Sequence, residues 1–162
     1  VVSSLFGMVQ PARAYFGEKD FQQVAVVRQM VAQLGLDVEI VTCPTLREED
    51  GLAMSSRNVL LSPEHRSSAP KIYRAMRTAA DEVGRALNAG EMPDIRGVEG
   101  SVAAAINADP LLEIIYFRLV NALTMADARS WDEPGGIQGC VAVQAGKVRL
   151  IDNMAFRRQE TD

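Results

Sequence analysis

Val1, Val2, Leu5, Met8 and Val9 recur at helical steps and the pattern stops at Pro11, so residues 1–10 are expected to form a short helix. Ala12 to Phe16 follows as a brief aromatic strand ending at Gly17. From Asp20, the apolar positions Val24, Val27, Val31 and Leu34 fall at helical spacing and Gly35 supplies the stop, which predicts a helix burying one face. Val38 to Val41, between Gly35 and Pro44, is a short, mostly apolar strand. The order strand, helix, strand suggests a parallel α/β unit. Residues 46–58 (LREEDGLAMSSRN) mix charges, Gly51, two serines and an arginine without periodicity, which marks a loop.

Beyond that loop the texture changes. Ser62 followed by Pro63 reads as a helix N-cap and first turn, and Ile72, Ala75, Met76, Ala79, Val83 and Leu87 continue as one long amphipathic helix. Residues 88–97 are a connector, Val98, Val102, Ala105 and Ile106 mark another helix, and Asp109-Pro110 closes it. Ile114 to Val120 is an apolar strand, and Cys140 to Ile151 predicts a hairpin about Ala145-Gly146, with Lys147 a solvated strand residue. Residues 157–162 (RRQETD) are expected to be a frayed polar tail.

Composition narrows the function classes. Among 162 residues, 17 Lys+Arg against 21 Asp+Glu give a formal charge of −4, which excludes a strongly basic nucleic-acid module. The 48% apolar and 23% charged content is that of an ordinary globular protein. Every apolar run is interrupted, as by Arg28 and Gln29, before the ~20 residues a membrane helix needs, so no membrane partner is expected. Cys43 and Cys140 fit no zinc or redox spacing and read as small apolar groups in a reducing compartment. Nothing before Phe6 has the basic stretch and apolar core of a signal peptide, and a cytoplasmic location is expected. His65, the single histidine, excludes a multi-histidine metal site and reads as a surface residue, while Trp131, Met30, Met76 and Met125 fall on apolar patterns and read as core. The chain starts at Val1 inside a helix-like pattern, without an initiator Met, and is expected to be a fragment.

Two segments carry candidate chemistry. FGEKDFQQ, Phe16 to Gln23, sits where a strand ends and a helix begins, the place where open α/β sheets bind ligands. There Gly17 lets a ligand approach the backbone, free helix N–H groups favour an anion, and Lys19 adds a mobile charge suited to phosphate. A solvated Glu-Lys-Asp cap accounts for the same residues. In DGLAMSSRN, Asp50 to Asn58, the hydroxyls of Ser55 and Ser56 can donate hydrogen bonds and Arg57 can pair with a polyphosphate through two N–H groups. An ordinary surface loop is the competing reading, so composition by itself reaches only an anion site.

The two segments, in this order and at this separation, resemble the pantothenate synthetase family. VQPARAYFGEKDFQQ (Val9 to Gln23) resembles its strand-to-helix ATP and pantoate segment, and REEDGLAMSSRN (Arg47 to Asn58) resembles its counterpart of the KMSKS loop of class I aminoacyl-tRNA synthetases. RLIDNMAF (Arg149 to Phe156) resembles its C-terminal ending. The resemblance implies condensation of pantoate with β-alanine using ATP and Mg²⁺, through a pantoyl adenylate. It implies that Gly17, Glu18, Lys19 and Asp20 line the ATP site, that Gln23 binds pantoate, that Leu46 touches adenosine, and that Met54, Ser55, Ser56 and Arg57 close over the phosphates. Lys19, Ser55, Ser56 and Arg57 are the expected catalytic groups. No His-x-Gly-His motif is present, so the chain is expected to be the C-terminal half, with the missing N-terminal half as a partner and a homodimer left open. The implied architecture is α/β: residues 1–58 form the C-terminal part of a Rossmann-like nucleotidyltransferase domain and residues 59–162 a small α+β lid domain. Two alternatives stand beside this reading: a non-catalytic fragment or split half that folds against a partner, and another class I nucleotidyltransferase.

Overall fold

In the computed structural model, which describes residues 1–157, the chain divides into two units, Val1–Thr45 and a second beginning at Leu46. In the first, α1 (Val2–Val9) ends at Gln10, whose φ of 47° puts it in the left-handed region while its N–H reaches the Phe6 carbonyl. Pro11 then prevents the helix from continuing. β1 (Arg13–Gly17) and β2 (Glu39–Cys43) pair in parallel, from Arg13 opposite Glu39 to Gly17 opposite Cys43. The crossover between them is α2 (Phe21–Leu34), stopped by Gly35 at φ 59°. This is the expected parallel unit. The expected buried face is only half realised, because Val24 and Val27 are buried whereas Leu34 is exposed. α1 buries no residue at all, and Tyr15 on β1 is also exposed. A parallel pair is ordinarily covered on both faces.

The second unit contains α3 (Pro63–Ser68), α4 (Pro70–Asn88) and α5 (Ile95–Asn107), followed by β3 (Leu112–Asn121), β4 (Ile137–Ala145) and β5 (Val148–Arg157). The strands form one antiparallel sheet in the order β3-β4-β5. The single long helix expected after Ser62 is two helices, because Pro70 has no N–H to donate and breaks the ladder at Ala69. The N-cap is as expected, with the Ser62 hydroxyl accepting from the His65 N–H at 3.3 Å. α5 starts earlier than its apolar pattern, at a cap made by Asp94, whose carboxylate accepts from the Gly97 N–H at 2.6 Å.

One face of the sheet carries the core. On β4, Ile137, Val141, Val143 and Ala145 point to it, joined by Val148, Leu150 and Phe156 of β5. A register shift between Ile114 and Tyr116 keeps Leu112, Phe117 and Leu119 of β3 on that same face, which strict alternation would not do. Met76, Ile72 and Val83 of α4 and Val102 and Ile106 of α5 pack into the same cluster. Gly139 leaves the room in which Phe117 and Phe156 meet, their ring centroids 5.6 Å apart.

Several local expectations are revised. Lys147 lies in the β4–β5 turn, not in a strand, since Gly146 takes φ 61° and the pair forms the two-residue connection. His65 is half-buried, its Nδ1 at 2.7 Å from the Ser62 hydroxyl and its ring against Gly146 of that turn. Trp131 and Met76 are buried, whereas Met30 and Met125 are half-buried. Cys140 is buried as an apolar group would be, but Cys43 at the end of β2 is exposed. Of the expected polar tail, Arg157 is the last residue of β5 and pairs with Asp132 at 2.8 Å, and residues 158–162 lie outside the described residues. Among the described residues no helix is long and apolar enough to cross a membrane.

Candidate functional site

In the first unit, β1 runs out at Gly17 and passes through a single 3-10 turn, Glu18–Asp20, into α2. Gly17 has φ −68° and ψ 130°, extended backbone open to any residue, and a Cβ added there would meet no atom within 4 Å. Neither conformation nor packing requires glycine at this strand end. Asp20 occupies the N-cap position of α2 but makes no side-chain cap hydrogen bond. Glu18 and Lys19 are half-buried, and Gln23 is exposed near the start of α2.

In the second unit the segment expected as a loop is ordered. Residues 46–54 form a small hairpin: Arg47 and Ala53 bridge in antiparallel fashion, the Met54 N–H donates to the Leu46 carbonyl at 2.9 Å, and the Gly51 N–H closes the turn on the Glu48 carbonyl at 2.9 Å. Leu46 and Met54 are therefore neighbours across the hairpin, and both are exposed. Ser55 caps a 3-10 turn, Ser56–Leu60, by accepting from the Arg57 N–H at 3.2 Å. Ser56 and Arg57 face solvent at the head of that turn, with one Arg57 guanidinium nitrogen 3.5 Å from the Arg149 carbonyl on β5. Leu46, Met54, Ser55, Ser56 and Arg57 are thus brought together within this unit, while Gly17, Glu18, Lys19, Asp20 and Gln23 belong to the other.

What holds the hairpin is not legible in its own residues. Arg47 pairs with Asp152 of β5 through two contacts of 2.6 and 3.0 Å, donates to the Gly51 carbonyl at 3.1 Å, and stacks 4.1 Å over the Tyr73 ring of α4. At the tip, Asp50 accepts from Arg66 of α3 at 2.6 Å, and that hydrogen bond holds its carboxyl below the usual range. These ties explain why the units divide between Thr45 and Leu46 rather than after Asn58: residues 46–58 are anchored on β5 and the helices of the second unit. The visible signal is Asp152 itself, a carboxylate in the alternating apolar row Val148, Leu150, Met154, Phe156. Burial and the neighbouring Asp152 charge push the Cys140 thiol up to about 12. Among the described residues no group of three His, Cys, Asp or Glu side chains could hold a metal ion.

The family profile described as pantoate-beta-alanine ligase matches residues 1–155. The chain belongs to that family. It is 47% identical to the pantothenate synthetase of Porphyromonas gingivalis over 156 residues, covering 96% of this chain and 53% of that protein. It is 48% identical to the enzyme of the same name from Thermus thermophilus, over 95% of this chain and 53% of the relative. The chain therefore spans about half the length of the curated relatives it matches. A crystal structure of the Thermus thermophilus pantothenate synthetase superposes with a TM-score of 0.84 at 43% identity, covering 96% of this chain and 53% of that one. A pantoate-beta-alanine ligase from Francisella tularensis, complexed with beta-gamma ATP and beta-alanine, gives a TM-score of 0.67 at 28% identity, covering 96% of this chain and 48% of that one. The α/β architecture, a parallel pair followed by an antiparallel sheet, agrees with these neighbours.

Proposed function

We propose that this chain supplies part of an ATP-dependent ligase that joins pantoate to β-alanine. A pantoate carboxylate oxygen attacks the α-phosphorus of ATP and pyrophosphate leaves; the β-alanine amine then attacks the acyl carbon of the pantoyl adenylate and AMP leaves. The observation that carries this reading is the anchored hairpin and its serine-capped turn, which hold Met54, Ser55, Ser56 and Arg57 outward from a fixed base. Hydroxyls and a guanidinium so presented suit phosphates whose charge moves to the leaving pyrophosphate. Leu46 and Met54 offer apolar surface for an adenosine. In the first unit, the open strand end at Gly17, the uncapped start of α2 and the Lys19 ammonium suit an anion, and Gln23 carries both a donor and an acceptor for the hydroxyl and carboxylate of pantoate. Mg²⁺ enters this reading as part of the Mg·ATP substrate, held on its phosphates.

The test uses a ligase completed to the length of the relatives. Arg57→Ala should slow pantoate-dependent pyrophosphate exchange far more than it weakens ATP binding, by about 2–4 kcal/mol of transition-state stabilisation. An unchanged exchange rate would remove Arg57 from the site. A second reading, that the chain is inert until it folds against a partner segment, is favoured by the exposed Val1, Met8, Val9 and Tyr15 of the first unit. Full ATP-dependent activity of the isolated chain would dismiss it.

A further inference from the structure

Along β5 the side chains of Val148, Leu150, Asp152, Met154 and Phe156 point to the face that carries the core, and the Asp152 side chain keeps only 6% of its surface. A carboxylate in such a row is costly, and an apolar residue of similar volume commonly serves a fold as well or better. Its presence is explained by what it holds. Arg47, itself 20% exposed, places both terminal nitrogens on both Asp152 oxygens, and the same guanidinium reaches the Gly51 carbonyl at the hairpin turn. One planar group thus ties the start and the turn of the hairpin to β5, an edge strand of the sheet whose inner face joins the core. Tyr73 closes the other side: its ring lies under Arg47, its hydroxyl accepts from Arg77 at 3.1 Å, and it leaves no room at Gly51, where φ is 94° and an added Cβ would stand 2.3 Å from the ring. The Asp50–Arg66 pair fixes the tip independently.

We infer that Arg47 and Asp152, with Tyr73 as their platform, are positioning residues that hold the turn bearing Ser55, Ser56 and Arg57 in register for transfer of the adenylyl group. This rests on the ATP role proposed for that turn. Neither Arg47 nor Asp152 touches the nucleotide in this account; they act through the hairpin. A reacting constellation is sensitive to displacements of an ångström or less, so loosening the base should be felt in the transition state more than in substrate binding. The geometry also demands arginine, since a lysine ammonium cannot meet two carboxylate oxygens and a carbonyl in one plane.

The experiment compares Asp152→Asn, Arg47→Lys and Arg57→Ala in the completed ligase. Three readouts are taken: pyrophosphate exchange at varied ATP, transfer of the acyl group from preformed pantoyl adenylate to β-alanine, and amide hydrogen exchange. Asp152→Asn and Arg47→Lys should each lower kcat for pyrophosphate exchange by on the order of 10-fold or more, with KM for ATP and the acyl-transfer step nearly unchanged. The Glu48, Gly51 and Met54 amides should exchange faster while those of β4 keep their protection. If Asp152→Asn does not fold, Arg47→Lys, which keeps the charge beside Asp152, carries the test. Normal exchange kinetics in Arg47→Lys and Asp152→Asn, with Arg57→Ala impaired, would overturn the positioning role alone. Parallel loss of both half-reactions together with faster exchange in β4 would also overturn it, in favour of general damage. Unimpaired Arg57→Ala would overturn the ATP role of the turn and this inference with it.

Discussion

Gly139→Ala should destabilise the second unit by about 1–3 kcal/mol, the usual range for an extra methyl forced into a packed core. The backbone does not object: Gly139 lies within β4 and is not among the positive-φ residues, so alanine would by itself gain roughly 0.5–1 kcal/mol through a less flexible unfolded chain. The obstacle is the methyl, which would sit 2.5 Å from Cε2 and 2.8 Å from Cδ2 of Phe156 and 3.0 Å from Cε2 of Phe117. Both rings are buried and already tilted against each other at 49°. Displacing one off its rotamer costs about 0.5–1.5 kcal/mol, and the pair forfeits part of a similar amount. Urea denaturation followed by the fluorescence of Trp131, the single tryptophan and a buried residue of the second unit, reads this directly. With an m-value of about 1–3 kcal/mol/M the midpoint should fall by roughly 1 M. Phe156→Leu should cost less in the Gly139→Ala background than in the wild type, since it removes the atoms in the way. A midpoint that stays or rises, or strictly additive losses in the double variant, would refute the packing argument.

Three further outcomes are expected. Lys71, at 2.6 Å, and the Leu111 N–H, at 2.9 Å, hold the Asp109 carboxyl at about 2, below its ordinary 3.8. The stability this contributes is complete above the ordinary value and is lost as the pH falls towards about 2, so Asp109→Asn should lower Tm near neutrality and flatten its acid decline. An unaltered acid decline in a thermal melt series would exclude that role. Titration of the native chain with a thiol reagent at mildly alkaline pH should find Cys43 fast and Cys140 inert until denaturant is added, because Cys43 is exposed and Cys140 is buried and held up to about 12; two equally fast thiols would contradict the buried placement. In the completed ligase, Gln23→Ala should raise KM for pantoate with KM for ATP nearly unaltered, and an equal loss for both substrates in steady-state titrations would refute a pantoate-specific contact.

The candidate chemistry is largely readable because it is local. FGEKDFQQ and MSSRN are contiguous, and the geometry around each depends on short-range rules: a strand end running into a helix, and a serine capping the turn that follows it. The same holds for the caps and stops at Ser62, Gly35 and Gly146, where a side-chain oxygen or a positive φ decides the outcome within a few residues. Pro70 is equally local, but the cap at Ser62-Pro63 before it and the apolar periodicity from Ile72 onward after it read through the break.

Contacts over long sequence separations are another matter. Arg47 and Asp152 stand 105 positions apart, and nothing in REEDGLAMSSRN announces that its first residue reaches a core strand. The register shift at Ile114/Tyr116, which restores Phe117 and Leu119 to the apolar face, depends on pairing with β4, and His65 is half-buried because a distant hairpin turn packs on it. By itself the sequence determined most of the elements, their order and the parallel unit at the start, and offered two segments as candidates for an anion, since periodicity and turn chemistry act within one or two turns of chain. Only the tertiary structure decided where the chain divides, which face of each strand is buried and what anchors the 46–54 hairpin, because burying a charge or shifting a register is settled by partners that chain folding, not chain order, brings near.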